Sequence, residues 1–436
     1  MTGIIRLLEW LRYHVFWIKD FFMGAKISNH IKKIQEVLEN KDPIQTKKIH
    51  ENDLQGLLNH AVTTTPYYKD IKQKKSLSAF PVINKNIINS NPSQFKSSLF
   101  LKTNNKTVST SGSTGALLTV SQNKDKVDRN TADTIYFSVL AGFKVGHKLY
   151  YLRHWSTQYK KSKIMSFIQN IVPIEVINMN GDKIEVLLNQ LEGDPSKKGW
   201  LGYASGFESI CQYLDSKKSK PIDANFKSII AISENLNKQT KQRMEFYFRT
   251  PIVSRYSNME NGIIAQQQTD STSHFVINWA SYHVEILKLD SDETAEFGEL
   301  GRIVVTDLFN FATPLIRYDT GDIGIMEATS RFPVLSGIEG RKLDCVFSTN
   351  GTLISSFIII EACNFSGINQ VQLIQETKTQ YTLRLNCSEK FNHEIAVIEK
   401  FRSFLGKDAK LLIEYVNEIP ILDSGKRRSV INNFLK

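Results

Sequence analysis

Apolar positions along the chain follow two different periods. Near the start they recur every three or four places, at Ile4, Leu8, Leu11, Val15, Ile18 and Phe22. That spacing predicts an amphipathic helix. The helical, polar-faced character continues to about residue 75. From TVSTSGSTG onward the pattern changes. Short apolar runs (KLYYLRH, IVPIEVINM, KGWLGYAS, KSIIAIS, TPIVSRYS) alternate with amphipathic stretches (KIEVLLNQLEG, GFESICQYLDS, KQTKQRMEFYF). Such alternation predicts an α/β domain with a largely parallel sheet. HFVINWASYHVEILKLD, GELGRIVVTDL and DIGIMEA read as further strands with turn residues between them, an antiparallel part.

After GIEGRKLDCVFSTNG the character shifts again. VQLIQETKTQYTLRLNC predicts a hairpin, HEIAVIEKFRSFLG a helix and KLLIEYVNEIP a strand, which together make a small α+β module. The expected division is therefore a helical segment over 1–75, a large α/β domain over 76–339 and a small C-terminal domain over 340–436. A hinge is expected near Arg341–Asp344, because the stretch Gly337–Gly340 can absorb backbone rotation.

Composition narrows the partners. The 436 residues are 41% hydrophobic and 23% charged, which suits a folded chain of two or three domains. The formal net charge of +11 favours anionic partners such as nucleotides, phosphates or an acidic membrane surface. The excess is diffuse, with no basic stripe interleaved with stacking aromatics, so nucleic acid is not expected. Four scattered cysteines (Cys211, Cys345, Cys363, Cys387) form no C-x-x-C, which argues for a reducing, cytoplasmic setting and against a zinc site. The first helix is interrupted by Arg6, Glu9, Arg12, Lys19 and Asp20, so neither a membrane span nor a cleavable signal is expected. The commoner outcome for such a helix is packing on its own domain. The alternative is a helix lying on the inner membrane surface, anchored by Trp10, Trp17 and the basic residues.

Five stretches suggest chemistry. In TSGSTGAL (Thr110–Leu117), small and hydroxylated residues allow close backbone approach to phosphate oxygens, although the Lys of the usual phosphate loop is missing. RYSNME (Arg255–Glu260) follows a strand-like run and so falls at a strand's C-terminal end, where open α/β sheets place ligands. There Tyr256 offers a flat face for a base and Glu260 a hard oxygen for Mg²⁺. TPLIRYDTGDIG places Asp319 and Asp322 in an expected turn between two strands, where a carboxylate can accept both hydroxyls of a ribose. GRKLD supplies Arg341, a fork donor for phosphate or ribose oxygens, and DSGKRRSV supplies Lys426, whose long stem can reach a neighbouring domain. Each stretch alone also reads as an ordinary turn or a solvated basic tail.

Their order is more specific than any one of them. S-G-S-T-G, Y-x-x-x-E, T-G-D, G-R-x-x-D and S-G-K in succession resemble the adenylate-forming superfamily: acyl-CoA synthetases, luciferase and the adenylation domains of peptide synthetases. TSGSTG, SIIAISENL, VEIL and TPLIRYDTGD resemble its phenylacetate–CoA ligase and capsular-polysaccharide branch. The resemblance covers residues from about 50 to 436 and implies a large N-terminal domain with a small mobile C-terminal lid. It implies an ATP-dependent ligase that joins a carboxylate to AMP, releases pyrophosphate, and passes the acyl group to CoA or to another thiol, amine or sugar acceptor, in the capsular branch within cell-surface polysaccharide synthesis.

By motif, Ser111, Gly112, Ser113, Thr114 and Gly115 would hold the β- and γ-phosphates. Tyr256, with Ser257 beside it, would stack on adenine, and Glu260 would bind Mg²⁺. Asp322 would hold the ribose and Arg341 would assist. Lys426 would bridge carboxylate and α-phosphate, and Asp344 would be the hinge. Tyr203, Ser205, Phe207 and Ser233 are the expected wall of the acid pocket. The chain departs from the family's Y-G-x-[ST]-E in having Ser257 for the Gly and Met259 for the hydroxyl residue. A non-catalytic, membrane-associated nucleotide-binding scaffold is the reading of a different class.

Overall fold

The structure is a computed structural model that describes residues 2–71, 76–110, 118–155, 162–177, 179–270, 274–341, 346–351, 353–354, 365, 367–388, 391–420, 428 and 430–434. Helices α1 (Thr2–Phe22), α2 (Lys26–Leu38) and α3 (Pro43–Thr64) come first, then the short α4 (Lys85–Ser90). The start of α3 is written in its sequence: Asp42 accepts from the backbone N–H groups of Ile44 and Gln45, and Pro43 occupies the first turn. An antiparallel hairpin, β1 (Lys106–Ser109) with β2 (Thr119–Gln122), precedes α5 (Lys124–Leu140).

The alternating region folds as β3 (Lys148–Arg153), α6 (Lys163–Ile168), β4 (Ile171–Glu175), α7 (Gly181–Gly193), β5 (Lys198–Tyr203), α8 (Ala204–Ser216), β6 (Phe226–Ile232), α9 (Lys238–Phe248) and β7 (Ile252–Asn258). These five strands are parallel in the order β4-β3-β5-β6-β7. All of β6 except Lys227 is buried, as expected of a strand covered on both faces. The sheet continues with β8 (Gly262–Gln267), β9 (Phe275–Ile277), β10 (Tyr282–Leu287), β11 (Leu300–Asp307), β12 (Tyr318–Glu327) and β13 (Val334–Arg341), all antiparallel to their neighbours. Among the described residues this makes one mixed sheet of eleven strands, ordered β10-β11-β12-β13-β9-β8-β7-β6-β5-β3-β4.

Beyond it, β14 (Val346–Phe347) pairs with β15 (Leu353–Ile354). A separate four-stranded sheet contains β16 (Ile368–Gln375), β17 (Gln380–Cys387), β18 (Lys410–Tyr415) and β19 (Val430–Asn432), in the order β18-β17-β16-β19. Helix α10 (Glu394–Leu405) packs onto it through the fully buried Val397, Phe401 and Leu405. The hairpin, helix and strand expected of the small module are all present.

Three local expectations are corrected. Asp319 and Asp322 do not occupy a turn between strands; both lie inside β12. The turn-like composition is absorbed by left-handed backbone at Gly321, φ +81°, and by bulges. The Gly337–Gly340 stretch is likewise paired strand, with Gly337 opposite Ile325, rather than a loop free to rotate. The apolar stripe of α1 faces outward: Ile4, Leu8, Leu11, Val15, Ile18 and Phe22 are all exposed. Among the described residues no helix is long and apolar enough to cross a membrane.

Candidate active site

The turn after β7 gathers the candidate nucleotide residues. Tyr256 lies on β7 and Glu260 in the turn to β8, while Asp322 comes from β12. In the sheet, β7 and β12 are four strand spacings apart, about 19 Å in a flat sheet. Yet the Tyr256 hydroxyl donates to Asp322 Oδ2 at 2.7 Å. Two side chains cannot span the flat distance, so the antiparallel half curls back over the end of β7. Bulges fall at the points of contact, between Tyr256 and Ser257 and between Asp322 and Ile323. Such irregularities bend a strand and re-aim its side chains.

A second hydrogen bond crosses the same junction. Tyr318, also on β12, donates its hydroxyl to Glu260 Oε1 at 2.9 Å. Glu260 is buried, and its backbone carbonyl accepts from Gln122 Nε2 at 3.1 Å, which ties the turn to the β1–β2 hairpin. Burial, reinforced by the neighbouring carboxylates Asp322 and Glu260, pushes the Tyr256 hydroxyl well above its ordinary pKa. Burial and Glu260 do the same to Tyr318. Both phenols therefore stay protonated and serve as donors to the two carboxylates.

The two acids of T-G-D's neighbourhood have different duties. Asp319 Oδ2 accepts from Arg302 Nη1 at 2.7 Å, and its Oδ1 accepts from the Gly321 N–H at 2.8 Å. It is committed to holding β12. Asp322 instead faces Tyr256 and stands opposite Arg341 in the β12–β13 register. Its own N–H donates to Thr320 Oγ1 at 3.2 Å.

Ser257 follows Tyr256 in β7 with backbone that any residue adopts. A glycine is required instead five positions later, at Gly262. Gly262 has φ +120°, and a Cβ there would meet Asn130 Oδ1 at 2.7 Å and the Tyr282 hydroxyl at 2.9 Å. Met259 is exposed on the turn.

The expected acid-pocket residues separate. Tyr203 ends β5 and pairs with Ile232 at the end of β6, which in turn pairs with Arg255, the neighbour of Tyr256. Ser233 follows β6 in left-handed backbone, φ +70°. The Ser205 N–H donates to Glu234 Oε2 at 2.8 Å. These groups share the C-terminal edge of the parallel strands with Tyr256. Phe207 does not: it is fully buried in the core, its ring edge-on to Trp200 at 5.2 Å.

Ser111–Gly115, Asp344 and Lys426 lie outside the described residues, and of Arg341 only the strand register is described. The base of the Ser111–Gly115 loop is described. Thr110 and Leu118 are hydrogen-bonded across it, the Thr110 N–H to the Leu118 carbonyl at 2.9 Å. The described ends of the hairpin belong to the element that also touches Glu260.

Sequence reasoning missed Tyr318, Thr320 and Glu234. Tyr318 and Thr320 stand inside RYDTGD and Glu234 inside SIIAISENL, so the signal was proximity to motif residues already singled out. Replacing Tyr318 by Phe removes a hydroxyl from a buried carboxylate. The expected cost is about 1–3 kcal/mol of stability. A thermal melt of the variant against the parent chain reads that cost.

Among the described residues no group of three His, Cys, Asp or Glu side chains is placed to hold a metal. Glu260 offers one hard-oxygen ligand, and Mg²⁺ is commonly held by one or two carboxylates plus the phosphates of a nucleotide. The donor set fits a cation that arrives with ATP.

Residues 346–433 match the CapK C-terminal domain family. Protein CapK of Staphylococcus aureus is 23% identical, over 94% of this chain and 94% of its own length. Among solved structures, 2-hydroxyisobutyryl-CoA ligase in the postadenylation state with 2-HIB-AMP superposes with a TM-score of 0.71 at 16% identity, over 90% of both chains. The same ligase with 2-HIB-AMP and CoA in the thioesterification state gives 0.58 at 18% identity, over 90% of this chain and 91% of that one. ATP-bound MatB from Rhodopseudomonas palustris gives 0.54 at 15% identity, over 74% of this chain and 66% of its own. The chain has the α/β adenylate-forming fold, with a large mixed sheet and a small C-terminal sheet.

Proposed function

We propose that this chain activates a carboxylic acid with ATP, forming an acyl-adenylate and pyrophosphate, and then transfers the acyl group to an acceptor. The observation that supports this best is the pair of hydrogen bonds at the β7–β12 junction, Tyr256 to Asp322 and Tyr318 to Glu260. They bring the flat ring of Tyr256 and the carboxylates of Asp322 and Glu260 to one place. Those are the groups a nucleotide needs for base, sugar and phosphate respectively.

In this reading Asp322, aligned by the Tyr256 hydroxyl, accepts the ribose hydroxyls, with Arg341 opposite it. Ser111–Gly115 supply N–H and hydroxyl donors to the β- and γ-phosphates. Glu260 would hold a Mg²⁺ that arrives with the nucleotide, and such a cation would supply positive charge beside the phosphates. Lys426 brings a second cation to the reacting oxygens. Tyr203, Ser205 and Ser233 lie along the acid's approach, at the strand edge beside Tyr256. The division into 76–339 and 340–436, with rotation at Asp344, accounts for two steps in one cleft. The higher score against the postadenylation state than against the thioesterification state of one ligase supports an adenylation-side arrangement here.

For the acceptor, CoA is supported by the ligase solved with 2-HIB-AMP and CoA. Transfer to a sugar or carrier in cell-surface polysaccharide synthesis is the second reading, favoured by the outward apolar face of α1. AMP release with the cognate acid, measured with and without CoA, separates them. Strong stimulation by CoA with thioester formation establishes the CoA ligase. Acid-dependent adenylate that CoA leaves untouched points to another acceptor. ATP binding without acid-dependent turnover would favour the scaffold.

A further inference from the structure

The surface helix α1 is oriented the opposite way from an ordinary one, with its apolar stripe toward solvent. Ile4, Leu7, Leu11, Val15, Ile18 and Phe22 fall within an arc of about 100° at 3.6 residues per turn. Each is 47–81% exposed. Both acids of the helix point the other way. Glu9 is buried and accepts from the Lys197 N–H at 2.9 Å. Asp20 is buried and accepts from the N–H groups of Ile27 and Ser28 at the start of α2. Its remaining charges are basic: Lys19, exposed, and Arg12, half-buried, lie beside the stripe, and Arg6 is exposed farther round the helix.

The patch extends past α1. Arg12 Nη2 donates to the Phe167 carbonyl at 3.3 Å, and its guanidinium lies 5.1 Å from the Phe167 ring. This contact seats α6 beside α1. In α6, Ile164, Phe167 and Ile168 are 59–75% exposed, Lys163 is exposed, and the segment contains no acid. Among the described residues, two helices distant in sequence thus present exposed apolar side chains next to one another, and the charged side chains exposed beside them are positive.

We propose that this surface docks the protein on an anionic lipid bilayer, with α1 and α6 lying in the headgroup region. Apolar side chains enter the acyl boundary, the exposed Trp10 sits at the interface, and Lys19 and Lys163 meet lipid phosphates. Charge selects this occupant over a second copy of the chain. In a two-fold contact the same basic residues would face one another without acids to answer them.

The test is co-sedimentation of the full chain with phosphatidylcholine vesicles, with and without phosphatidylglycerol. We expect binding to the anionic vesicles at least about tenfold stronger than to the neutral ones, weakening as salt screens the charges. Leu11→Glu with Ile18→Glu should lose at least about tenfold in binding to either vesicle. Lys19→Glu with Lys163→Glu should lose the preference for anionic lipid. All four positions are exposed, so the thermal melt and the activity without vesicles should match the parent chain. No binding by the folded parent chain, or full binding by the Leu11→Glu/Ile18→Glu variant, would overturn the proposal. So would a concentration-dependent dimer that this variant dissolves while vesicles are ignored, since the patch would then be a self-interface.

Discussion

Replacement of Glu260 by Gln should lower ATP–pyrophosphate exchange about a hundredfold to a thousandfold, the range seen when a group stabilising transition-state charge is removed. The substitution is nearly isosteric. The amide keeps an oxygen to accept from Tyr318, whose hydroxyl lies 2.9 Å from Glu260 Oε1. The turn and its hydrogen bond to Gln122 should therefore persist, and the melting temperature should change little. What disappears is one negative charge at the place where a cation would sit. The deficit should be partly reversed by raising Mg²⁺ or by substituting Mn²⁺, because a weakened ligand set is refilled by mass action. A Mg²⁺ titration of the exchange rate in both proteins checks this. Unchanged exchange at limiting Mg²⁺ would remove Glu260 from the cation site.

Lys426→Ala should affect one half-reaction only. A carboxylate and an α-phosphate repel each other, and a point-charge ammonium beside both oxygens relieves that repulsion as the bond forms. Its loss should cost about a hundredfold or more in adenylate formation. The acyl-transfer step begins from an adenylate in which that charge problem is already solved. Synthetic acyl-adenylate supplied directly should then be consumed at close to the parent rate. Single-turnover assays of the two steps separate these effects. Equal loss in both steps would point to a structural role, and equal retention would end the assignment.

The contrast between what was and was not readable follows from the range of each interaction. β5, β6 and β7 were legible because strands covered on both faces read as unbroken apolar runs, and the helices between them keep a 3.6-residue period. The small module was legible because β17 carries apolar residues between turn signals, β18 alternates, and α10 keeps the helical period. D-T-G-D read as a turn because its residues favour turns. In the fold, pairing with β11 and β13 overrides that preference, and Gly321 absorbs the strain. The curl that brings β12 over β7 is carried by bulges and long-range register, which no local window records. Hence Tyr256, Glu260 and Asp322 could be singled out one by one, whereas the partnership of Tyr318 with Glu260 could not. Phe207 shows the complementary limit. A helix's period shows that it has two faces but not which one a neighbouring strand will cover. The same limit applies to α1, where the period marked the apolar stripe correctly and the environment of that stripe came only with the structure.

The measurement that bears most directly on the central proposal is ATP–pyrophosphate exchange, run with Mg²⁺ and without CoA, across a panel of aryl, fatty, hydroxy and amino acids. Exchange that appears with one class of acid and is absent without acid is the expected result, and the responding class names the substrate. Folded protein that binds ATP yet shows no exchange with any acid in the panel would contradict the adenylation reading and favour the scaffold.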